Sequence, residues 1–126
     1  MIKGDFKDIS TLMQDYFLGL HEADSQVLRG VFHPKMAYVC ATEGDPLYLD
    51  LEQYMDRIDA RVAPAKRGDV RREEIYSIAF VNPRLAHVTC RMALMGRDYV
   101  DHLTLVPHDG AWRVVTKVFA YQPKEA

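Results

Sequence analysis

The sequence predicts an α+β fold in which three N-terminal helices pack on a strongly curved, mostly antiparallel sheet. The first half of the chain repeats apolar residues at spacings of three and four, which is typical of amphipathic helices. From residue 70 onwards the apolar residues alternate through four long segments separated by short turns. Strands of roughly ten residues twist and curl. We therefore expect a cone with a pocket between the helices and the sheet.

The composition indicates one domain over residues 1–126, because 126 residues with 48% apolar content can build a single core. A net charge of -2, from 16 basic and 18 acidic residues, provides no footprint for nucleic acid or for a membrane surface. Cys40 and Cys90 are too far apart for a CxxC motif, so buried free thiols are expected. Neither a leader nor a membrane span is recognisable, and a cytoplasmic protein without metal or cofactor is predicted.

The first helix is predicted over residues 5–22, with Asp5 as its N-cap. Asp24 then caps a second, shorter helix, whose apolar positions continue to Phe32 and which Pro34 ends. The inward stripe of the first helix consists of Phe6, Ile9, Met13, Tyr16, Phe17 and Leu20.

A strand follows over residues 35–42, with Tyr38 and Cys40 on one face. Asp50 and Gln53 have the spacing of a capping box, which predicts a third helix that extends to about Val62. Its inward positions are Leu51, Tyr54, Met55, Ile58 and Val62.

The remaining chain reads as a meander of four strands: residues 70–81, residues 85–95, and a closing hairpin over 97–121 around a turn at 107–110. In the second of these strands the core positions are Ala86, Val88, Cys90, Met92 and Leu94. In the closing hairpin the inward positions are Tyr99, Leu103, Leu105, Trp112, Val114, Val118 and Ala120.

Asp101 is the exception on this inward face, since it is a carboxylate among apolar residues. Pairing Val106 with Ala111 across the turn places Asp101 opposite Thr116. The opposite face is too apolar for plain solvent and too charged for a core, so it is predicted to form a homodimer interface. That outer face consists of Val100, His102, Thr104, Arg113, Val115, Lys117, Phe119 and Tyr121.

Four segments carry a resemblance to a known family: DYFLGLHEAD at 15–24, FHP at 32–34, DHLTL at 101–105 and GAWRVVTKVF at 110–119. With these segments the sequence resembles the NTF2-like superfamily, in its SnoaL-like or "putative lumazine-binding" branch, over nearly the whole chain. The resemblance implies a cone-shaped α+β fold with an apolar pocket, usually dimeric through the outer face of the sheet.

The resemblance also suggests site residues. Ketosteroid isomerase belongs to the same superfamily, and Tyr16 sits where that enzyme places its oxyanion tyrosine. The general-base position of ketosteroid isomerase falls on Cys40 in this sequence. This counts against steroid-isomerase chemistry, because a thiol without an activator stays protonated at neutral pH. SnoaL-like cyclases similarly use an acid/base aspartate, and Asp101 is the candidate for that role here.

Two functions follow as hypotheses. In the first, a cofactor-independent isomerase, cyclase or dehydratase binds an apolar or aromatic small molecule, Asp101 moves a proton and Tyr16 polarises a carbonyl. The alternative is a non-catalytic ligand-binding or dimerisation module, in which both residues are hydrogen-bonded core groups. The predicted pocket residues are Tyr38, Cys40, Tyr54, Met55, Met92, Leu103, Trp112 and Thr116.

Overall fold

A computed structural model describes residues 3–123 and confirms the predicted α+β class. The six strands form one sheet in the order β2-β1-β6-β5-β4-β3, in which only the β1–β6 pair is parallel. None of the helices in this range combines the length and hydrophobicity that crossing a bilayer requires. In chain order the elements are α1 (Lys3–Glu22), α2 (Ser25–Arg29), β1 (Phe32–Thr42), β2 (Asp45–Leu49), α3 (Leu51–Ala60), β3 (Arg72–Asn82), β4 (Leu85–Leu94), β5 (Arg97–His108) and β6 (Ala111–Pro123).

Helix α1 packs its apolar stripe into the core, but its first turn differs from the prediction. The helix begins at Lys3, so Asp5 lies inside it and does not act as the N-cap. Phe6, predicted to face inward, is 56% exposed, and the buried stripe begins at Ile9. The buried residues of α1 are Ile9, Leu12, Met13, Tyr16, Phe17 and Leu20.

Helix α2 begins as predicted and ends sooner. The Asp24 carboxylate accepts hydrogen bonds from two backbone N–H groups of the first turn, as an N-cap does. The helix ends at Arg29, and Phe32 is already the first residue of β1, so the prediction that the helix continues to Phe32 is wrong. The reason is pairing with β6, where the Val114 N–H donates to the Val31 carbonyl at 2.9 Å.

Helix α3 has the predicted capping box. The Gln53 N–H donates to the Asp50 carboxylate at 2.8 Å, and the Asp50 N–H donates to the Gln53 side chain at 2.9 Å. Arg61 adopts an extended conformation and ends the helix, so Val62 lies outside it and is 62% exposed, contrary to the prediction. The buried residues of α3 are Leu51, Tyr54, Met55 and Ile58.

Replacing Asp50 with alanine removes this cap. We expect a loss of about 1 kcal/mol in the free energy of unfolding, because the N-terminal N–H group of α3 then loses its acceptor. Chemical denaturation measures this loss. The matched control is Asp56→Ala, an exposed position in the same helix, and it should change stability by less than about 0.5 kcal/mol. Equal losses in both variants would contradict the prediction.

The inward alternation of β4 agrees with the prediction, since Ala86, Val88, Cys90, Met92 and Leu94 are all buried. The closing hairpin turns more tightly than predicted. Its turn consists of Asp109 and Gly110 alone, both with positive φ (50° and 80°), which is the geometry of a two-residue type I′ turn. His108 therefore pairs with Ala111, and the predicted pairing of Val106 with Ala111 is wrong.

A β-bulge displaces the register further along this hairpin. Leu105 pairs with Val114, but the preceding residue Thr104 pairs with Thr116. Val115 is therefore an extra residue in β6, and side chains beyond it point to the opposite face from the one that strict alternation predicts.

The bulge exchanges the predicted inner and outer sets of β6. Lys117 and Phe119 are buried, with 5% and 4% exposure, whereas Val118 is 38% exposed and Ala120 is exposed as well. Asp101 pairs with Phe119 and not with Thr116. The predicted outward positions of Lys117 and Phe119 are thus wrong, because alternation counted from the turn cannot include a bulge.

Candidate functional site

Asp101 lies at the middle of β5, between Cys90 of β4 and Phe119 of β6, and it is 1% exposed. The Tyr16 hydroxyl of α1 donates a hydrogen bond to Asp101 Oδ2, and the Cys90 Sγ lies 3.9 Å from the same oxygen. Within the described residues, Oδ1 has no hydrogen-bond partner although it is buried. A buried carboxylate oxygen without a donor is costly. The site therefore contains an unused acceptor.

Lys117 extends into the same region from β6, where it lies beside Tyr38 of β1. Its Nζ donates to the Tyr54 hydroxyl of α3 at 3.1 Å. Aromatic ring faces stabilise an ammonium group that has lost its water, and several rings surround this one. The distances from Nζ to the ring centroids are 5.0 Å for Tyr16, 5.8 Å for Tyr38, 5.3 Å for Tyr54 and 5.3 Å for Phe119. We call these four rings the aromatic cage.

Asp101 and Lys117 are the two charged residues that are buried in the described part of the chain. Burial lowers the pKa of Lys117, but the Tyr54 oxygen and the Asp101 carboxylate raise it more, so that the pKa lies above its ordinary value. Burial, reinforced by the Asp101 charge, raises the pKa of both Tyr16 and Cys90. At neutral pH the site therefore holds a charged ammonium group, a protonated phenol and a protonated thiol.

A cavity of about 20 Å³ lies against both charged side chains. It is large enough for one water molecule, which requires roughly 10–15 Å³. Arg61, half-buried at the end of α3, forms part of its wall. Because the cavity is so small, an occupant larger than water requires the lining side chains to move. The cavity is also smaller and more polar than the apolar pocket that the sequence predicts.

The structure brings five of the predicted site residues together. Tyr38, Tyr54 and Met92 line the cavity with Asp101, and Tyr16 contacts the carboxylate from the helix side. The Tyr16 hydroxyl is directed at Asp101, so it orients the carboxylate and does not face the cavity as a free donor.

Five other predicted pocket residues lie elsewhere. Cys40 donates from Sγ to the Thr42 hydroxyl at 3.3 Å, and Met55 and Leu103 are packed in the core with 0% exposure. Trp112 donates its indole N–H to the Asp5 carboxylate at 3.3 Å, near the first turn of α1. The last of the five, Thr116, is on the other side of the bulge and pairs with Thr104, so it points away from the cavity.

Sequence reasoning missed Lys117, Phe119 and Arg61 as site residues. Lys117 carries a weak signal, because it is a cation directly before the apolar residues Val118, Phe119 and Ala120, but the same strand also contains Arg113 and Thr116. The bulge that turns it inward has no comparable signal, since it results from pairing with β5. Across residues 3–123, no group of three or more His, Cys, Asp or Glu side chains converges as a set of metal ligands.

Helices packed on a six-stranded, mostly antiparallel sheet, with a cavity between them, are the arrangement of an NTF2-like protein. The chain belongs to the family described as "Putative lumazine-binding", whose model matches residues 4–120. No curated protein matches the sequence.

Solved structures show the same fold. An NTF2-like protein of unknown function from Silicibacter pomeroyi is 23% identical with a TM-score of 0.82, and the match covers 97% of this chain and 100% of that one. One from Shewanella baltica is 20% identical with a TM-score of 0.84, covering 98% of each chain. A ketosteroid isomerase-like protein from Erwinia carotovora atroseptica is 10% identical with a TM-score of 0.74, covering 95% of this chain and 98% of that one.

Proposed function

We propose that the cavity is a small-molecule site in which Asp101 accepts a proton from a carbon acid and returns it, as isomerases, cyclases and dehydratases do without a cofactor. The observation that carries the proposal is Oδ1 of Asp101, a buried acceptor with no hydrogen-bond partner among residues 3–123, on a residue that lines the cavity. A general base needs this free lone pair within reach of its substrate. The family description, which names lumazine binding, also supports a small-molecule ligand.

Tyr16 and Cys90 support this role from the other oxygen. Both lie at Oδ2, so they hold the carboxylate in one orientation and leave Oδ1 for the substrate. The predicted role of Tyr16 as a carbonyl donor is therefore replaced in this proposal by a positioning role. The aromatic rings in the wall favour a flat ligand, and the charged groups favour one with a polar end. It enters when the side chains at the Arg61 edge move outward.

The test is proton exchange at carbon in D₂O, followed by NMR on a panel of small ketones and diketones. Asp101→Asn should lower the exchange rate by about 100-fold or more, because the amide cannot act as a base. Asp98→Asn is the matched control, since Asp98 is a carboxylate on the same strand that pairs with Arg91 at the surface. Exchange that is equally fast in wild type and Asp101→Asn would remove Asp101 from the chemistry.

The small cavity favours a second candidate function, a dimerisation module without turnover. The outer face of the sheet carries less charge than the sequence predicts, because the bulge replaces Lys117 and Phe119 there with Val118 and Ala120. Val100 on β5 is also 38% exposed, as Val118 is, and it pairs with Ala120 across the two strands. A homodimer through this face would cover these side chains.

Light scattering after size exclusion tests the dimer. We expect twice the mass of one chain for the wild type and a shift towards the single-chain mass for Val118→Lys, which places a charge in the apolar patch. Val62→Lys, at an exposed position after α3, should leave the mass unchanged. A wild type that remains a single chain at high concentration would contradict the proposed interface.

A further inference from the structure

We propose that Lys117 is the group that holds the oxygen of a carbonyl substrate and stabilises it as an enolate when Asp101 removes the neighbouring proton. This inference rests on the proposed function and names its substrate class: a small compound with a carbonyl next to an acidic C–H. Neither the sequence nor the family assigns Lys117 a role.

The hydrogen bonding of Lys117 leaves donors unused. An ammonium group has three N–H donors, and one of them is directed at the Tyr54 hydroxyl. Within residues 3–123, no carboxylate oxygen lies within 4.0 Å of Nζ, so the ammonium group has no direct ion-pair partner there. The ring faces of the aromatic cage stabilise the charge, but they do not accept conventional hydrogen bonds from the remaining N–H groups.

Lys117 and Asp101 are complementary across one cavity. Nζ offers spare donors, Oδ1 of Asp101 offers a spare acceptor, and both residues line the same 20 Å³ space. A molecule with a carbonyl oxygen at one end and a removable proton next to it satisfies both groups. Tyr16 cannot supply the donor in this arrangement, because its hydroxyl is directed at Oδ2 of Asp101.

The step balances without a further reactant. The C–H bond breaks and its proton forms a bond to Oδ1 of Asp101. The C–H electron pair becomes the carbon–carbon π bond, and the carbonyl π pair moves onto oxygen. The resulting enolate faces the ammonium group of Lys117, whose preorganised charge stabilises it. Return of the proton to the same carbon gives exchange or epimerisation. In a β,γ-unsaturated carbonyl compound the enolate is conjugated, and return of the proton to the γ-carbon completes an isomerisation; no electrons are gained or lost.

Acetylacetone is a suitable probe because it is a small diketone whose enolate absorbs in the ultraviolet. The measurement is a titration of the full chain with acetylacetone, followed by difference absorbance. Two variants isolate Lys117: Asp101→Asn alone, and Asp101→Asn combined with Lys117→Met. Asp101→Asn should still bind the enolate, and the double variant should bind it about tenfold or more weakly, because it lacks the charged donor. Asp101→Asn leaves the Lys117 ammonium group without the opposite charge, but Nζ keeps its hydrogen bond to Tyr54 and its contacts with the aromatic cage. A thermal melt followed by circular dichroism confirms that each variant is folded before the titration.

Three results would overturn the inference. One is equal enolate affinity in the two variants, and another is no enolate signal in either the wild type or Asp101→Asn. The third is a covalent adduct on Lys117, seen by mass spectrometry after borohydride reduction, which would make the lysine a neutral nucleophile. Deuterium exchange into the same probe distinguishes this inference from the proposed function. Exchange that is equally fast in Asp101→Asn would contradict the role of Asp101 as the base. Enolate binding that depends on Lys117 would still support the role of Lys117.

Discussion

Replacing Lys117 with methionine is expected to lower the free energy of unfolding by about 2–3 kcal/mol, because the buried Asp101 carboxylate loses the positive charge across the cavity, although the two groups are not in direct contact. The carboxylate left behind is Asp101, which is 1% exposed and whose Oδ1 has no donor in the described part of the chain. Methionine keeps an unbranched side chain of similar length, so the lost charge and not a large cavity dominates the effect. Urea denaturation at neutral pH measures it.

A second substitution should restore much of this stability. Adding Asp101→Asn to Lys117→Met removes the uncompensated charge, and we expect a coupling free energy of about 2–3 kcal/mol between the two positions. Lys35→Met is the control, since Lys35 is an exposed lysine in β1, and it should change stability by less than about 0.5 kcal/mol. Additive losses in the double variant would mean that the two charges do not compensate each other.

The protein is expected to lose stability steeply at alkaline pH, because several buried groups hold their protons more tightly in the folded state. The pKa values of Cys90, Tyr16 and Lys117 are raised above their ordinary values of 9.0, 10.0 and 10.5. Burial also raises the pKa of Tyr38 to about 12. The unfolded chain therefore releases these protons first, and unfolding becomes more favourable as the pH rises.

The raised pKa values determine the pH range in which stability is lost. The stabilisation is fully present below pH 9.0, where Cys90 would begin to titrate in the unfolded chain, and is lost progressively above it. As the pH rises from 9.0 through 10.5, the unfolded chain loses these protons in turn while the folded state retains them, so the free energy of unfolding should fall by at most about 1.4 kcal/mol per pH unit for each group. Urea midpoints measured across this range give the slope.

Single substitutions identify the groups responsible. Tyr16→Phe and Cys90→Ala should each reduce the slope by about 1.4 kcal/mol per pH unit, because each removes one of the protons. Tyr48→Phe is the matched control, since the Tyr48 side chain is 73% exposed and in water in both states. A slope that is the same in all three variants would show that the alkaline loss has another origin.

Features that depend on neighbours in sequence were predictable. The inward faces of α1 and α3 follow from helical spacing, and the Asp50–Gln53 capping box follows from two residues three positions apart. The alternation of β4 and β5 was also correct, because both strands are regular over the positions concerned. The same alternation predicts that Asp101 is buried, and it identifies Asp101 as a carboxylate among apolar residues.

The partners of Asp101 depend on long-range contacts. Tyr16 is 85 positions away in sequence and reaches the carboxylate only because α1 lies across the sheet. Helical spacing predicts that Tyr16 points inward, but it contains no information on which strand residue it meets. The same limit applies to Tyr54, which meets Lys117 from α3 at a separation of 63 positions.

By itself, the sequence determined the α+β class, the inward faces of the regular elements and the anomalous Asp101, since each of these is set by local periodicity. Only the tertiary structure decided that Lys117 belongs to the site. The deciding feature is the extra residue Val115, which reverses the alternation of β6 and places the ammonium group inside the aromatic cage. A bulge arises when two strands pair, and its energy depends on both partners, so neither strand encodes it alone.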